Sequence, residues 1–538
     1  MTRRPAAPVI RFAPPPEPVS LTDYPIPGDT RSRSFRVSAD HQAVTVVETP
    51  PMDAAERQRL SDAYRRLPDY CHISDPACMH LHYAHFAAAG EVVIRIEAAE
   101  EIRAFRIHPL RRGIVGRADG RVLTFATGNR EPRYFIVRIN ALPPLMLVIE
   151  SPESSLPVPG DAGVIDAGAF LTDRTGATDQ TENFHRALAA ANGSGQTLLV
   201  PPGIYAVTQL HVRDGRNFRL HLSAGCLLRI SPSAHGENEH RHGLWLENCE
   251  DVAVLGRGCI DHQAYEHYVR GGNNYQHGMV DYYTANDLCP WITQSPLFIT
   301  GSRRIRVDGL TIRNGRNFNL NCRNCDDLTL RRIKILTPPA CTPEYADGIN
   351  TGSCRQVLIE DCLVACNDDC FASGHYFATC DTRSSQHHVV RRMLGWNMRA
   401  SAVRLGFFAA HDQGDFTFED CDFVALAHTS LLIHALQPGP DGAAARYGVI
   451  RAVDCAFDDA SGLKALLEVQ KAAIRRLELV NVSYHGEPRP DALLLVEGDP
   501  GAPLERLLLE NLTLDGRPAS RLDQIPARIS GVKQVVVR

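Results

Sequence analysis

Hydrophobic and polar residues alternate with a period of two from Ser34 to Glu150. Such alternation places apolar side chains on one face of a β-strand and polar side chains on the other. Turn signals such as Ala89-Gly90 and Asp119-Gly120 separate the runs. Seven short strands of this kind predict an N-terminal β-sandwich over residues 31–150. The runs are SFRV, AVTVVE, MHLHYAHF, EVVIRIE, IRAFRIH, RVLTFAT and YFIVRI.

Three histidines, His80, His82 and His85, lie in one of these runs. The first two fall on the same face of a strand and could suggest a metal site. The sequence favours a plainer interpretation, in which they form the polar face of a sandwich strand.

Composition changes on both sides of the predicted sandwich. Residues 1–30 are rich in proline and predict an extended arm. The segment ESPESSLPVPGD, from Glu150 to Asp161, marks a boundary and predicts a linker over residues 151–162. After the linker, Asp179 and Glu182 resemble a capping box, and Phe184, Leu188 and Ala191 recur at helical spacing. A short helix at this place would cover the open end of a stack of strands.

From about residue 205 onward, strand-like runs recur without helices between them. A repeat of 23 to 34 residues, with two to three β runs per unit, predicts a parallel β-helix over residues 163–538. Leucine-rich repeats are the structural alternative, but their lattice of leucine and asparagine is absent from this sequence. The expected fold class is therefore all-β: a right-handed parallel β-helix preceded by an N-terminal β-sandwich. The turn positions are Gly309, Arg332, Asp361, Arg392, Asp420, Asp454, Asn481 and Asn511, at intervals of 23, 29, 31, 28, 34, 27 and 30 residues.

Polar residues at these turn positions have a structural explanation. Aspartate and asparagine at the same corner of successive coils suit a bend whose side chains stack from coil to coil. We therefore assign Asp361, Asp420 and Asp454 to corners and not to chemistry.

Composition limits the classes of partner. The chain of 538 residues has 57 basic and 62 acidic residues and a formal net charge of −5, which argues against a bulk electrostatic surface for nucleic acid. It contains neither an apolar run of membrane-spanning length nor a visible signal peptide. We expect no membrane association, and a protein that is either cytoplasmic or secreted with its signal removed; the oligomeric state stays open.

The 16 cysteines follow the repeat. Cys362, Cys421 and Cys455 each come after an aspartate in a strand-like run, which predicts a ladder of small buried side chains and not a set of disulfides. Cys322 and Cys325 form a CxxC motif, but no second CxxC or histidine pair lies at zinc-site spacing. We expect no metal and no cofactor.

Three carboxylates recur at the length of one tight coil. Asp347 is followed 21 and 22 residues later by Asp368 and Asp369, with a strand-like run, 357–364, in between. If the coils stack, the three side chains meet, and such crowding is more often functional than accidental. The alternatives are an acidic corner or a calcium site.

These carboxylates lie in a recognisable block, with Tyr345-Ala346-Asp347-Gly348 followed by Asn367-Asp368-Asp369-Cys370. The block resembles the polygalacturonase family, glycoside hydrolase family 28, in which N-T-D-G is followed one coil later by G-D-D-C. The similarity extends over roughly 160–425. An N-terminal sandwich and the asparagine before the paired aspartates also resemble the dextranase and isopullulanase family, glycoside hydrolase family 49.

The resemblance implies an inverting glycoside hydrolase with a carbohydrate substrate. It implies that Asp369 is the general acid, with Asp347 and Asp368 as the pair that orients and deprotonates water. The assignment between Asp368 and Asp369 is left open.

Two features depart from the family pattern. The Gly-His-Gly motif of the following coil is absent from 397–406, and Ser373, Gly374 and His375 replace the family's lysine. A uronic-acid substrate is therefore in question, although Arg399, Arg404 or His375 could take over. The predicted substrate-binding residues are His375, Tyr376, Arg399, Arg404 and Trp291.

Two other functions compete with hydrolysis. A pectate-lyase-like enzyme would share the β-helix but would need calcium-binding acids and an arginine base. A carbohydrate-binding or tailspike-like adhesin would work without the three aspartates. The sugar, the linkage and endo or exo action depend on loops such as 262–300, whose tyrosines and histidines specify no particular sugar.

Overall fold

The protein was analysed as a computed structural model. It describes residues 20–49, 80–231, 242–263, 295–315, 318–338, 346–375, 381–397, 399–406, 411–424, 428–434, 445–460, 465–486 and 492–538. Contacts divide the chain into two compact units. The described residues 20–25, 31–48 and 82–155 belong to the first unit, and residues 26–30, 49, 80–81 and those from 156 onward belong to the second. The finer boundaries at 31–150, 151–162 and 163–538 stay a prediction.

The first unit is a β-sandwich, as predicted. Its two sheets enclose an apolar core that includes Phe86, Ile94, Phe125 and Phe135. The run AVTVVE is divided, since Gln42–Val44 pairs with the second sheet and Val47–Thr49 with the first. The first sheet contains Leu21–Asp23, Val47–Thr49, Leu81–Ala88, Phe105–His108, Arg133–Ile139 and Leu145–Glu150; the second contains Phe35–Ala39, Gln42–Val44, Val93–Ala98, Gly116–Asp119 and Val122–Ala126.

The histidines of strand Leu81–Ala88 differ from the expectation of a polar strand face. Both sides of this strand are buried, and His82 and His85 are only 1% and 3% exposed. His82 packs edge-on against Phe35, and the His85 ring lies 3.0 Å from the Glu150 carboxylate. Expecting a polar face here was wrong, because both faces of this strand are buried.

The second unit is a parallel β-helix, which confirms the predicted fold class. Successive strands pair in parallel into three ladders, which we number in the order in which the chain first enters them. Apolar side chains from all three ladders point into one continuous core. Parallel strands lie about 4.8 Å apart, so each coil adds about that length to the stack.

The strands of the three ladders have the following bounds. The first ladder contains Val164–Asp166, Thr197–Val200, Arg216–Leu222, Glu250–Gly256, Arg303–Asp308, Asp326–Arg331, Arg355–Glu360, Gln386–Arg391, Phe416–Glu419, Arg446–Val453, Leu467–Val480, Leu504–Glu510 and Val532–Val537. The second contains Thr175–Asp179, Gly203–Val207, Cys226–Ile230, Cys259–Asp261, Thr311–Arg313, Lys334–Thr337, Leu363–Cys366, Leu394–Asn397, Asp422–Val424, Ala456–Ala460, Ser483–Gly486, Leu512–Leu514 and Arg517–Ala519, the last of which is antiparallel to its neighbour. The third contains Leu210–Arg213, Leu244–Glu247, Leu297–Thr300, Phe318–Arg323, Asp347–Gly352, Phe371–Ser373, Val403–Leu405, Leu431–His434, Leu467–Val480, Leu494–Gly498 and Ala527–Ser530, so that Leu467–Val480 serves two ladders.

A helix, Thr181–Ala191, lies where the sequence predicts it. Its buried residues Phe184, Ala187, Leu188 and Ala191 join the core of the β-helix. Short 3₁₀ helices occur at Leu110–Arg112, Ala167–Ala169 and Leu522–Gln524. Within the described part of the chain, no helix is both long enough and apolar enough to cross a membrane.

The predicted turn positions are sharp corners of the coil. At each of them the backbone adopts the left-handed region, with φ between 49° and 92°. The corner N–H groups donate to carbonyls of the next coil, as from Asp454 to Val480 and from Asn481 to Glu510. The amide of Asn511 donates to Asn481 over 2.9 Å, and that of Asn481 donates to Asp454 over 2.8 Å. These side chains therefore form the predicted corner stack.

The cysteines of the β-helix are buried thiols. Cys362, Cys421 and Cys455 lie in the core, each with its thiol near a backbone carbonyl of the preceding coil. Cys322 and Cys325 are also buried and free, and burial raises the pKa of both thiols. The cysteines that the structure describes are free thiols, as the repeat predicts.

A buried ion-pair cluster anchors the segment 26–30 to the β-helix. Arg313 donates to both carboxylate oxygens of Asp29, over 2.5 and 2.7 Å. The same guanidinium donates to Asp261 over 2.8 Å, and Asn314 donates to the other oxygen of Asp261. Because Arg313 is 1% exposed, its charge is compensated inside the protein by these two aspartates.

The corner at Asn481 provides a test of the backbone requirement. Both Asn481→Gly and Asn481→Val remove the same side-chain hydrogen bonds, but only glycine tolerates the positive φ without strain. We expect the valine variant to be less stable by about 1–2 kcal/mol. Urea unfolding of both variants measures the difference, and equal stability would contradict the proposed corner strain.

Candidate active site

Parallel stacking brings the three carboxylates together. Asp347 opens the strand Asp347–Gly352, and Asp368 and Asp369 come just before the neighbouring strand, Phe371–Ser373. Ile349 pairs with Phe371, so 22 residues complete one coil. Oxygen atoms of the three carboxylates lie within 4.8 Å of one another. No other comparable group of acidic, histidine and cysteine ligands occurs among the described residues.

The glycine after Asp347 is required by close packing. A Cβ at Gly348 would lie 2.3 Å from Val364 and 2.5 Å from the carbonyl of Cys370. The Gly348 N–H donates to the Asp369 carbonyl over 2.8 Å. This close approach holds the backbones of the two aspartate segments together.

Two arginines from the following coil compensate the negative charge. Arg404 pairs in register with Ala372, and its Nε lies 2.6 Å from Asp369 Oδ2. Its Nη2 lies 3.5 Å from Asp347 Oδ2. Arg399 donates to Asp368 Oδ2 over 2.8 Å. Each aspartate of the pair therefore has its own guanidinium.

Backbone donors also fix the two adjacent aspartates. The Ser401 N–H donates to Asp369 Oδ1 over 2.9 Å, and the Asp369 N–H donates to Asp368 Oδ1 over 3.0 Å. Asn397 shapes the turn that carries Arg399, because its side-chain oxygen accepts from the N–H groups of Arg399 and Ala400. The carboxylates are thus oriented by groups of the next coil.

Asp347 is held by a residue of its own strand, which is oriented in turn by the preceding coil. Asn350 donates from its amide to Asp347 Oδ2 over 2.6 Å, and the Asn350 oxygen accepts from Arg323. Arg323 is fully buried and also donates to Asn321, to the Gly374 carbonyl and to Asp381. Because Arg323 donates to the Asn350 oxygen, the amide N–H₂ of Asn350 must face Asp347.

Burial and mutual repulsion shift the titration of the cluster. Burial and the Asp368 carboxylate raise the pKa of Asp347 well above its usual range. Burial raises the pKa of Asp369 to about 6, although Arg404 opposes the shift. Three carboxylates facing two guanidiniums have one negative charge in excess, which a shared proton can neutralise.

A calcium ion does not fit this cluster well. Calcium takes six to eight oxygen ligands, whereas the described surroundings place the guanidiniums of Arg399 and Arg404 directly against Asp368 and Asp369. A divalent cation would meet these two cations at close range. The arrangement suits proton transfer better than metal binding.

The other predicted site residues differ in their placement. Arg399 and Arg404 contact the carboxylates, whereas His375 is 4% exposed and lies beside Gln413, with its Nδ1 accepting from the His411 N–H over 3.1 Å. Burial lowers the pKa of His375 to about 3, so its ring is neutral. Tyr376 and Trp291 lie outside the described residues, as does most of the loop 262–300.

Sequence reasoning missed Asn350, Ser401 and Arg323. Asn350 carries one weak signal, since it pairs in register with Asn321 and repeats an asparagine on the same strand face. Ser401 acts through its backbone, and Arg323 through a network that joins separate strands and turns. Neither contact has a signature in spacing.

Comparison with known proteins places this site in a recognised context. Residues 244–383 match the model for glycosyl hydrolases family 28. Two exopolygalacturonases of Zea mays are both 24% identical, over 231 and 220 residues that cover 42% and 40% of this chain and 52% and 50% of the relatives. The chain thus spans about half the length of these curated relatives. The matches confirm that it is polygalacturonase-like.

Solved structures show the same fold. The endo-xylogalacturonan hydrolase from Aspergillus tubingensis is similar with a TM-score of 0.51 at 13% identity, covering 68% of this chain and 95% of that one. Dex49A from Penicillium minioluteum gives a TM-score of 0.51 at 12% identity, covering 93% and 95%. At these identities both similarities show a likeness in fold.

The raised pKa of Asp347 predicts a pH-dependent cost to stability. The folded protein keeps a proton that the unfolded chain releases near pH 4, so stability falls as pH rises above that value. Asp347→Asn removes this titration. We expect the variant to be more stable than the native protein at pH 8, and the gain to vanish near pH 4, as measured by thermal unfolding.

Asp361→Asn is the matched control, because Asp361 is a corner carboxylate that accepts from Arg392 over 2.6 Å. It should give no gain at pH 8. An Asp347→Asn protein less stable than native at pH 8 would contradict the repulsion described above.

Because the guanidinium of Arg323 donates to several acceptors at once, we expect that lysine cannot replace it. A single ammonium cannot reach Asn321, Asn350 and Asp381 together, and buried acceptors left without a donor cost about 1–3 kcal/mol each. We expect Arg323→Lys to lower the free energy of unfolding by at least about 1–3 kcal/mol, the cost of one such acceptor. Arg213→Lys, at a side chain that is 63% exposed, should change it little; equal effects would refute the network.

Proposed function

We propose that the protein is a glycoside hydrolase that cleaves a polysaccharide or oligosaccharide by carboxylate general acid/base catalysis. The observation that carries this proposal is the cluster of Asp347, Asp368 and Asp369, buried and within 4.8 Å of one another. Hydrolysis of a glycosidic bond needs one protonated and one ionised carboxyl group. A cluster whose excess negative charge is neutralised by one shared proton supplies both.

We assign Asp369 as the general acid. With a pKa of about 6 it keeps its proton in mildly acidic solution, whereas an ordinary aspartate does not. Arg404 stabilises the carboxylate that remains after the proton is transferred. Asp368 competes for this role, since its side chain is 12% exposed and that of Asp369 only 2%.

The reaction then proceeds in one displacement. The acid protonates the glycosidic oxygen as its bond to the anomeric carbon breaks. A water molecule held by Asp347 and Asp368 attacks that carbon and gives its proton to this pair. The products are two sugars with free hydroxyls, and the configuration at the anomeric carbon is inverted.

The stereochemistry needs its own measurement. Carboxyl groups of inverting enzymes are about 6.5–9.5 Å apart and those of retaining enzymes about 5–5.5 Å. The 4.8 Å limit for this cluster joins single oxygen atoms, which is a different quantity. Inversion rests on the resemblance to family 28. Proton NMR of the first-formed product anomer decides between them.

Substitution of the acid tests the proposal. Asp369→Asn should reduce reducing-sugar release by about 10²–10⁴-fold, measured on polygalacturonan, dextran, pullulan and a set of oligosaccharides. Asp361→Asn, on the corner of the same coil, should retain native activity. Full activity of Asp369→Asn would refute the assignment, and unsaturated products absorbing in the ultraviolet would favour a lyase.

An aryl glycoside with a good leaving group separates the two candidate acids. Such a substrate needs little protonation, so loss of the acid is tolerated whereas loss of the base is not. With Asp369 as the acid, Asp369→Asn cleaves this substrate at close to the native rate and Asp368→Asn does not. The reverse result assigns the acid to Asp368.

A further inference from the structure

We infer that the sugar unit held against Asp347, Asp368 and Asp369 is uncharged, and not a uronic acid. This inference rests on the proposed function and concerns the class of substrate. A site for a uronate needs a cation or several donors that the protein has not already used. The described cations that touch this cluster, Arg399 and Arg404, are already engaged by the protein's own carboxylates.

The surface that a sugar would meet here is made of matched charges. The most exposed side chains of the cluster are Arg404 at 21%, Asp368 at 12% and Arg399 at 11%. Arg399 is bound to Asp368, and Arg404 lies against both Asp369 and Asp347. A substrate carboxylate could use these guanidiniums only in competition with three aspartates.

Two other basic groups of the described residues, Arg323 and His375, are buried near this cluster. Arg323 is fully buried, and its guanidinium donates to Asn321, Asn350 and Asp381. His375 is 4% exposed and neutral, with its ring against Gln413.

The net charge of the cluster determines whether a uronate would be attracted or repelled. Three aspartates and two arginines leave one negative charge, or none when a proton is shared. A uronate at about 5 Å would therefore meet repulsion or no net attraction. Neutral hydroxyl groups avoid this penalty, since they can donate to the aspartates and accept from the arginines at once.

A matched pair of polymers tests the inference. Polygalacturonan and its carboxyl-reduced form have the same linkage and differ only in charge, and alginate with its reduced form gives a second pair. We expect the native protein to hydrolyse or bind the reduced member at least about tenfold better. Reducing-sugar release gives kcat/KM, and affinity electrophoresis gives binding without turnover.

The outcomes separate this inference from the proposed function. Preference for an acidic polymer, in rate or in binding, overturns the neutral-sugar inference and leaves hydrolysis intact. Preference for a reduced polymer, or turnover of dextran or pullulan above polygalacturonan, supports it. A chain that binds a reduced polymer but cleaves no glycan supports the inference and counts against hydrolysis. Added salt should improve the acidic polymers selectively, because it screens the repulsion.

Discussion

The parallel register of the third ladder is the constraint on which the site depends. Ile349, Phe371 and Val403 pair in successive coils and point into the core. A slip of one residue would turn a buried row outward, so the apolar core fixes the register. The same register brings the residues just before these strands into one place. The cluster of aspartates is thus a consequence of how the core packs.

Stacking acidic segments in this way brings like charges together, and two arginines of the next coil offset their repulsion. Burial and repulsion disfavour the ionised carboxylates, while Arg399 and Arg404 favour them. The two effects partly cancel, and Asp369 is left with a pKa of about 6, in the range useful for proton transfer. The negative charge is compensated locally, because each guanidinium pairs with the aspartates that it touches.

The coils and corners of the β-helix could be predicted because they depend on patterns of residues that are close in sequence. Corners need residues that tolerate positive φ, and Asp361, Asp454 and Asn481 show this directly in the sequence. The spacing of Asp347 and Asp369 equals one coil of 22 residues and predicted that the carboxylates meet. Coil lengths elsewhere vary, so the register that places Arg404 beside Asp369 could not be obtained from spacing alone.

Burial was harder to predict than pairing. His82 and His85 sit in a run with polar character, yet both sides of their strand are buried. The pattern of one strand does not reveal what packs on its second face. Arg323 was missed for a related reason, since its acceptors come from distant points of the chain.

The ion pairs of Arg313 show that the linker does not separate two independent parts of the chain. Composition places a boundary at residues 151–162, which invites expression of the β-helix by itself. That fragment would lack Asp29 and leave Arg313 with one of its two buried counter-charges. Breaking a buried ion pair costs about 3–5 kcal/mol. The unit that contains the β-helix is therefore discontinuous in sequence, because it includes the segment 26–30, which lies between two parts of the sandwich.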